Sequence, residues 1–335
     1  MMNFALVGCG GMGNWHATQL QKLSDDVRVV ALCDIATGCA EGYKTKYFND
    51  AEVHHDFDAM MDKLTGTLDA VVLCTPHSLH YPMAKSALQR GVHVLTDKPM
   101  VTSSAHAYDL WRLVKQTGRH LGITFQAPYT REYQAIKNLR DAGKLGTPQI
   151  IQGWLAQGWL KPTAGKWRQV SAISGGGQMY DSGSHVLNGM MWLMNEPVVE
   201  VYCMYDTLGS PVDINGVAIM KFRSGTLGSV AIGGNSPGWN VSILLQTDTS
   251  VVRTGPHGGS LEITRNGHST YPPVPEDDHP AAFTPHRNFV NTLLKRESPV
   301  VTVRHGVLLS ALMDAIYESA RTKAPVKVEP VPDDL

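Results

Sequence analysis

The sequence predicts two domains: an α/β domain on a doubly wound parallel sheet over residues 1–125, then an α+β domain on an open, mainly antiparallel sheet over 126–335. Three observations predict it. The 335 residues exceed one average domain, and 43% hydrophobic content allows a core in each of two. Apolar runs of strand length alternate with helical patterns roughly every 20–30 residues through the first part, which is the pattern of a parallel sheet. Beyond Gly143-Lys144-Leu145-Gly146, short strands follow one another across Gly, Asp and Asn turns, with few helices between them.

The first element fixes the reading of the first domain. Phe4-Ala5-Leu6-Val7 is a buried strand that breaks into Gly8-Cys9-Gly10-Gly11-Met12-Gly13 and enters a helix at Asn14. In a dinucleotide site the first glycine permits the tight turn, the second lets backbone approach a pyrophosphate, and the third packs helix against strand. The free N–H groups at the helix start then face the phosphates. A second strand, Val27–Cys33, ends at Asp34, about twenty residues past the last glycine, where a carboxylate accepts from ribose hydroxyls. A structural glycine turn with a solvated Asp34 is the competing reading. Asp34 repels a 2'-phosphate and no arginine follows it, so NAD is expected rather than NADP.

The remaining elements follow in order. A helix runs to about Lys46, then come a short strand at Glu52–His54, a helix from Phe57, and a buried strand over Leu68–Cys74 that ends at Thr75-Pro76-His77. A helix over 78–90, a strand over 92–95, a helix over 103–117 and a strand over 121–124 complete this Rossmann pattern. Ligands of such sheets sit at the carboxyl ends of the strands. Those ends carry the glycine turn, Asp34, Thr75-Pro76 and Asp97-Lys98-Pro99. In the second domain, strands are expected at Val199–Tyr205, Val217–Phe222, Thr226–Gly233, Val241–Gln246, Val251–Thr254 and Leu261–Arg265. Helices are expected over 183–194, 285–296 and 304–321, the last able to pack back on the first domain, and Tyr271–Pro280 reads as a loop. An antiparallel sheet keeps one face for helices. The spare face is either solvated or an interface for a homodimer or homotetramer.

Composition narrows the partners. A net charge of −1 gives no footprint for nucleic acid and no polybasic signal for a membrane. The amino terminus runs into the first strand without a charged leader, and no apolar run approaches membrane-span length, so a cytoplasmic enzyme is expected. Five cysteines with no CxxC pair fit buried thiols in a reducing compartment. No HExxH or Cys/His cluster gathers the fourteen histidines, and no metal is expected.

Three residues stand out for chemistry: Lys98 before Pro99, and Asp181 with His185 after the run Gly175-Gly176-Gly177. Asp181 and His185 are four apart, so on a helix both project from one face. Taken alone, they are equally a surface lysine, an N-cap and a satisfied core histidine. Histidine titrates near working pH, and a fixed ammonium can meet developing negative charge. For the oxidation of a secondary alcohol, which the resemblance given next implies, His185 is the candidate base, Lys98 the cation, and Asp181 an acceptor for a neighbouring hydroxyl or an orienter of Lys98. Trp159, Trp167 and Tyr180 are either stacking surfaces for a sugar ring or ordinary core.

Gly8 to His16 in the pattern GxGxxGxxH, Asp34, Thr75-Pro76, His80-Tyr81-Pro82, Asp97-Lys98-Pro99, and Trp167-Arg168 before GGGxxxDxGxH together resemble the Gfo/Idh/MocA oxidoreductases. Ala315–Ala320 matches their last helix. The resemblance implies a Rossmann domain joined to an open-sheet domain, NAD or NADP as cofactor, and a sugar, glycoside or polyol as substrate. It implies that Lys98 is the catalytic lysine with Asp181 and His185 as partners. It places Gly11, Met12, His77, His80, Asp97 and Lys98 by the nucleotide, and Gln126, Tyr129 and Arg168 by the substrate. The chain departs from the family at Asp97, where glutamate is usual, at His77 for asparagine, at Asn188 for aspartate, and at Gln126–Tyr129, which lacks an arginine. Two other functions fit the resemblance: a redox-neutral NAD-dependent glycosidase that works through a 3-keto sugar, and a non-catalytic nucleotide-binding sensor.

Overall fold

Six parallel strands form the first sheet, in the order β3-β2-β1-β4-β5-β6. They are β1 (Met2–Val7), β2 (Val27–Cys33), β3 (Glu52–His54), β4 (Ala70–Leu73), β5 (His93–Thr96) and β6 (Leu121–Ile123). Helices α1 (Gly13–Gln21), α2 (Cys39–Tyr47), α3 (Phe57–Lys63), α4 (His77–Gln89) and α5 (Ser104–Thr117) make the crossovers. The strand order reverses between β1 and β4, and the crevice at their carboxyl ends is where such sheets bind ligands. Phe4, Leu6, Leu20, Leu32, Val72 and Leu95 form the core. Both faces are covered, so β4 reads as an unbroken apolar run.

This computed structural model describes residues 1–255, 257, 259–270 and 283–332, so the loop expected at Tyr271–Pro280 lies outside the described residues. The chain divides into one unit of Met1–Thr124 with Thr284–Gly306 and another of Phe125–Phe283 with Val307–Leu335. Helix α11 (Pro285–Leu293) thus completes the first unit, although sequence order places it in the second half. Phe289 and Val290 of α11 enter the same core, Phe289 with its ring edge-on to Phe4 at 6.2 Å. Arg287 and Arg296 both pair with Asp26.

The second unit holds a nine-stranded sheet in the order β14-β13-β12-β11-β7-β10-β9-β8-β15. Its strands are β7 (Pro148–Gly158), β8 (Val198–Asp206), β9 (Asn215–Phe222), β10 (Leu227–Gly233), β11 (Asn235–Thr247), β12 (Val251–Thr254), β13 (Leu261–Arg265), β14 (His268–Thr270) and β15 (Val326–Lys327). All pairs are antiparallel except β7 with β10, so the sheet is mixed. Strand β7, which the sequence pattern did not single out, lies between β11 and β10. Helix α6 (Arg131–Asp141) precedes it, and three short helices, α7 (Leu160–Thr163), α8 (Ser171–Ser174) and α9 (Gln178–Asp181), lead to α10 (Gly183–Met194); α12 (Val303–Thr322) comes last.

One face of this sheet seats α10. A Cβ on Gly153 of β7 would strike Val186 and Met190 of α10, so the bare glycine backbone sets how closely the helix lies. The opposite face presents two rows of side chains in register: Met204, Val217, Ala231, Trp154 and Ser242, then Tyr202, Ile219, Ser229, Gln152 and Leu244. Trp154, Val217 and Ile219 are each more than half exposed. Among the described residues, no helix is long and apolar enough to cross a membrane.

Candidate active site

The glycine turn has the three properties its motif requires. Gly8 sits at φ +94° with no room for a Cβ against the Cys74 carbonyl, and a Cβ on Gly13 would meet the Gly8 carbonyl at 2.6 Å. A Cβ on Gly10 meets nothing within 4 Å, so its backbone is open on the outer side. No side chain caps the start of α1, which leaves its first N–H groups for an anion. The Tyr43 hydroxyl of α2 donates to the Gly10 carbonyl at 2.6 Å and steadies the turn. Asp34 accepts from the amides of Cys9 at 2.7 Å and Ala36 at 2.8 Å, one on each oxygen. Each carboxylate oxygen keeps a second acceptor position. These residues fit a dinucleotide: room beside Gly10, donors at α1, and an oriented carboxylate at the end of β2.

The loop after β5 is held from below. Thr124 donates to Asp97 Oδ1 at 2.8 Å, and His16 Nε2 stands 3.8 Å from the same oxygen. Burial raises the Asp97 carboxyl, but the facing His16, then the Lys98 ammonium and the Thr124 hydroxyl, outweigh it and hold the group well below the usual carboxylate range. His16 Nδ1 meets His286 Nε2 of α11 at 2.9 Å, both rings being buried. Burial, then His16, pushes His286 well below the ordinary histidine range, so that ring is neutral. Trp15 packs edge-on against both imidazoles. The nitrogen, sulfur and oxygen atoms of His16, Cys74 and Asp97 lie within 4.8 Å of one another. His80 links this loop to the end of β4: Nδ1 is 2.8 Å from the Pro99 carbonyl and Nε2 is 2.9 Å from that of Thr75. Burial lowers its pKa despite both carbonyls, and a neutral ring, with its single N–H, donates to one of these carbonyls at a time. His77 is buried beside it, with ring centroids 5.9 Å apart.

In the second unit the glycine run is a packing device and does not present a free positive pole. Gly177 and Met179 both donate to the buried Asp213 carboxylate at 2.7 Å, and a Cβ on Gly177 would collide with the Asp213 carbonyl. The Tyr317 hydroxyl of α12 donates to the same carboxylate at 2.7 Å. The amides at the start of α9 are thereby capped from a residue 36 positions away in sequence. Asp181 ends α9 and His185 lies in the first turn of α10, so the pair expected on one face of a single helix falls on two successive helices joined at Ser182. Trp159 Nε1 donates to Asp181 Oδ2 at 2.8 Å, and Arg168 Nε donates to the same oxygen at 3.1 Å. Arg168 also lies over the Trp167 ring at 4.4 Å. Every residue of α10 is buried except His185.

The sequence-predicted aromatics sort themselves by burial. Trp159 is buried and serves Asp181, and Tyr180 is core, its ring 5.9 Å from Tyr317 and its hydroxyl pushed up by burial and then Asp314. Tyr129 is buried against Phe283 at 5.2 Å, while Gln126, Trp167 and Arg168 keep partial exposure. Sequence reasoning missed His257, whose ring centroid lies 4.8 Å from that of His185.

Two family models match the chain. One, described as the oxidoreductase family with an NAD-binding Rossmann fold, covers residues 2–125, and the other, the GFO/IDH/MocA C-terminal domain, covers 133–254. The chain belongs to the Gfo/Idh/MocA family. An inositol 2-dehydrogenase of Rubrobacter xylanophilus is 27% identical over 338 residues, spanning 97% of this chain and 92% of the relative. D-glucoside 3-dehydrogenase of Escherichia coli is 26% identical over 199 residues, 59% of this chain and 56% of that protein. A levoglucosan dehydrogenase solved with NADH and levoglucosan shares the fold, with a TM-score of 0.87 over 98% of this chain and 100% of that one at 20% identity. This Gfo/Idh/MocA protein is therefore an oxidoreductase of the nicotinamide-dependent sugar and polyol class. Lys98 belongs to the first unit, and Asp181 and His185 to the second.

Replacing Asp213 with Ala strands three donors at once. The Asp213→Ala variant is expected to lose about 2–4 kcal/mol of unfolding free energy. Urea-induced unfolding followed by circular dichroism measures it, and an unchanged midpoint removes the capping role.

Proposed function

We propose that this protein oxidises a ring secondary alcohol of a cyclic polyol or glycoside, with NAD as hydride acceptor and His185 as the base. The observation that carries the proposal is His185 itself: the one residue of a buried helix left in contact with solvent, four positions after an Asp181 that Trp159 and Arg168 hold in place. Bound nicotinamide supplies the site that takes up the hydride. His185 takes the hydroxyl proton as the C–H bond breaks and the carbonyl forms, so proton and hydride leave separately. Lys98 offers a fixed ammonium to the oxygen that gains charge, and its place next to Pro99, whose carbonyl His80 reaches, limits the freedom of that loop. Asp181, held on Oδ2 by Trp159 and Arg168, is the candidate acceptor for a neighbouring substrate hydroxyl.

NAD is favoured over NADP by Asp34. Its carboxylate is turned by two backbone donors toward the turn, and the next residue, Ile35, is 84% exposed and offers no charge to a 2'-phosphate. The exposed apolar rows around Trp154, Val217 and Ile219 fit a second copy of this chain, giving a homodimer or homotetramer through the sheet.

Three outcomes follow. With NAD screened against myo-inositol and alkyl glucosides, Lys98→Met is expected to lower turnover by about 10²-fold or more while NAD still binds; unchanged NADH formation sinks the role. Free sugar released without net NADH assigns the redox-neutral glycosidase instead. Asp34→Ala is expected to weaken NAD binding by about tenfold and to narrow its margin over NADP, as read by fluorescence titration. Ile219→Asp is expected to halve the mass seen by light scattering, and an unchanged mass places the interface elsewhere.

A further inference from the structure

His257, beyond β12, brings a second imidazole to His185. His257 and His185 meet edge to face, with ring centroids 4.8 Å apart and planes at 65°. On its other side, Trp239 stacks on His257 at 5.9 Å and 26°, and Phe125 stands edge-on to His185 at 6.2 Å. The four rings form a ladder that begins in core, since Phe125 is 1% exposed, and ends at solvent, since Trp239 is 57% exposed. Two other features build the ladder. The Gly259 amide, two residues past His257, donates to Glu132 Oε1 of α6 at 3.0 Å and ties the loop down. Strand β11 breaks register against β7 between Asn235 and Asn240, so residues 236–239, Trp239 among them, bulge opposite Gln157 alone.

We propose that His257 is a positioning residue for His185 and that Trp239 is the outer stacking surface of the same substrate pocket. This rests on His185 being the base. Two imidazoles at this separation compete for one proton, because like charges so close disfavour double protonation. Among the described residues, the charged groups on the elements that carry the pair include Asp181, one turn before His185, Arg168, which donates to Asp181, Glu132, which engages Gly259, and Arg253 on β12. His257 thereby fixes the plane of the His185 ring. Trp239 gives the apolar face of a pyranose or cyclitol ring a flat partner, which places the substrate against the ladder.

The test is a ring-proton NMR titration of the full-length protein, with the His185 resonance assigned by its loss in His185→Ala. In His257→Phe, which keeps a ring but not the charge, the His185 midpoint is expected to rise by about one unit, and the pH profile of kcat to move with it. Glu132→Ala releases the loop and is expected to reproduce part of the shift. Trp239→Ala is expected to raise KM for the sugar or polyol about tenfold while kcat stays within a factor of about two. An unmoved His185 midpoint in His257→Phe overturns the positioning role; if that variant does not fold, an unmoved midpoint in Glu132→Ala does so. An unchanged KM in Trp239→Ala overturns the stacking surface. Full turnover in His185→Ala removes the base and leaves the titration result standing, so the two failures are distinct.

Discussion

Gly8 faces the Cys74 carbonyl so closely that a single methyl group has no space, and Gly177 faces the Asp213 carbonyl in the same way. Backbone pressed against backbone is the constraint on which each unit depends. At Gly8 it lets β1 turn beside β4, the switch point of the sheet, and directs the start of α1 to the crevice. At Gly177 it lets Asp213 reach two amides, and that cap sets where α9 begins and hence where Asp181 and His185 lie. Neither approach tolerates a larger residue without moving a strand or a helix. The chemistry-bearing side chains are placed by residues that carry no chemistry.

Each half also encloses a carboxylate with its own donors. Asp97 has Thr124, the facing His16 and the adjacent Lys98; Asp213 has two amides and Tyr317. A buried charge costs several kcal/mol unless it is paired and hydrogen-bonded, so these partners are conditions of the fold and not additions to it. The His16–His286 contact adds a topological consequence. It joins the motif helix α1 to α11, nearly the length of the chain away, so the returning helix supports the loop that carries Lys98. A neutral His286 suits that place, because it leaves the Asp97 charge to the donors beside it.

What the sequence made legible was local. The strand, glycine turn and helix, and Asp34 at the next strand end, rest on spacing within a few residues or on hydrophobic period and lie where that spacing puts them, whereas Asp181 and His185 fall on two successive helices rather than one. Strand β7 escaped because Gln152, Gly153 and Gln157 dilute its alternation, although Ile151 and Leu155 face inward and Trp154 outward. Its glycine reads as a weak strand residue, yet it is the seat of α10. The membership of α11 in the first unit escaped because an amphipathic helix does not say which sheet it covers. Asp213 and His257 sit in Gly- and Pro-punctuated loops, where a carboxylate or an imidazole looks solvated; only the folded chain brings one to Gly177 and the other to His185.

The same distinction bears on Trp159 and Arg168. In sequence an aromatic and an arginine beside a sugar-binding motif invite a direct role at the substrate. In the fold they converge on one oxygen of Asp181, with the Trp159 indole buried. A carboxylate that accepts twice on Oδ2 has a fixed plane, so both side chains act through Asp181 rather than beside it.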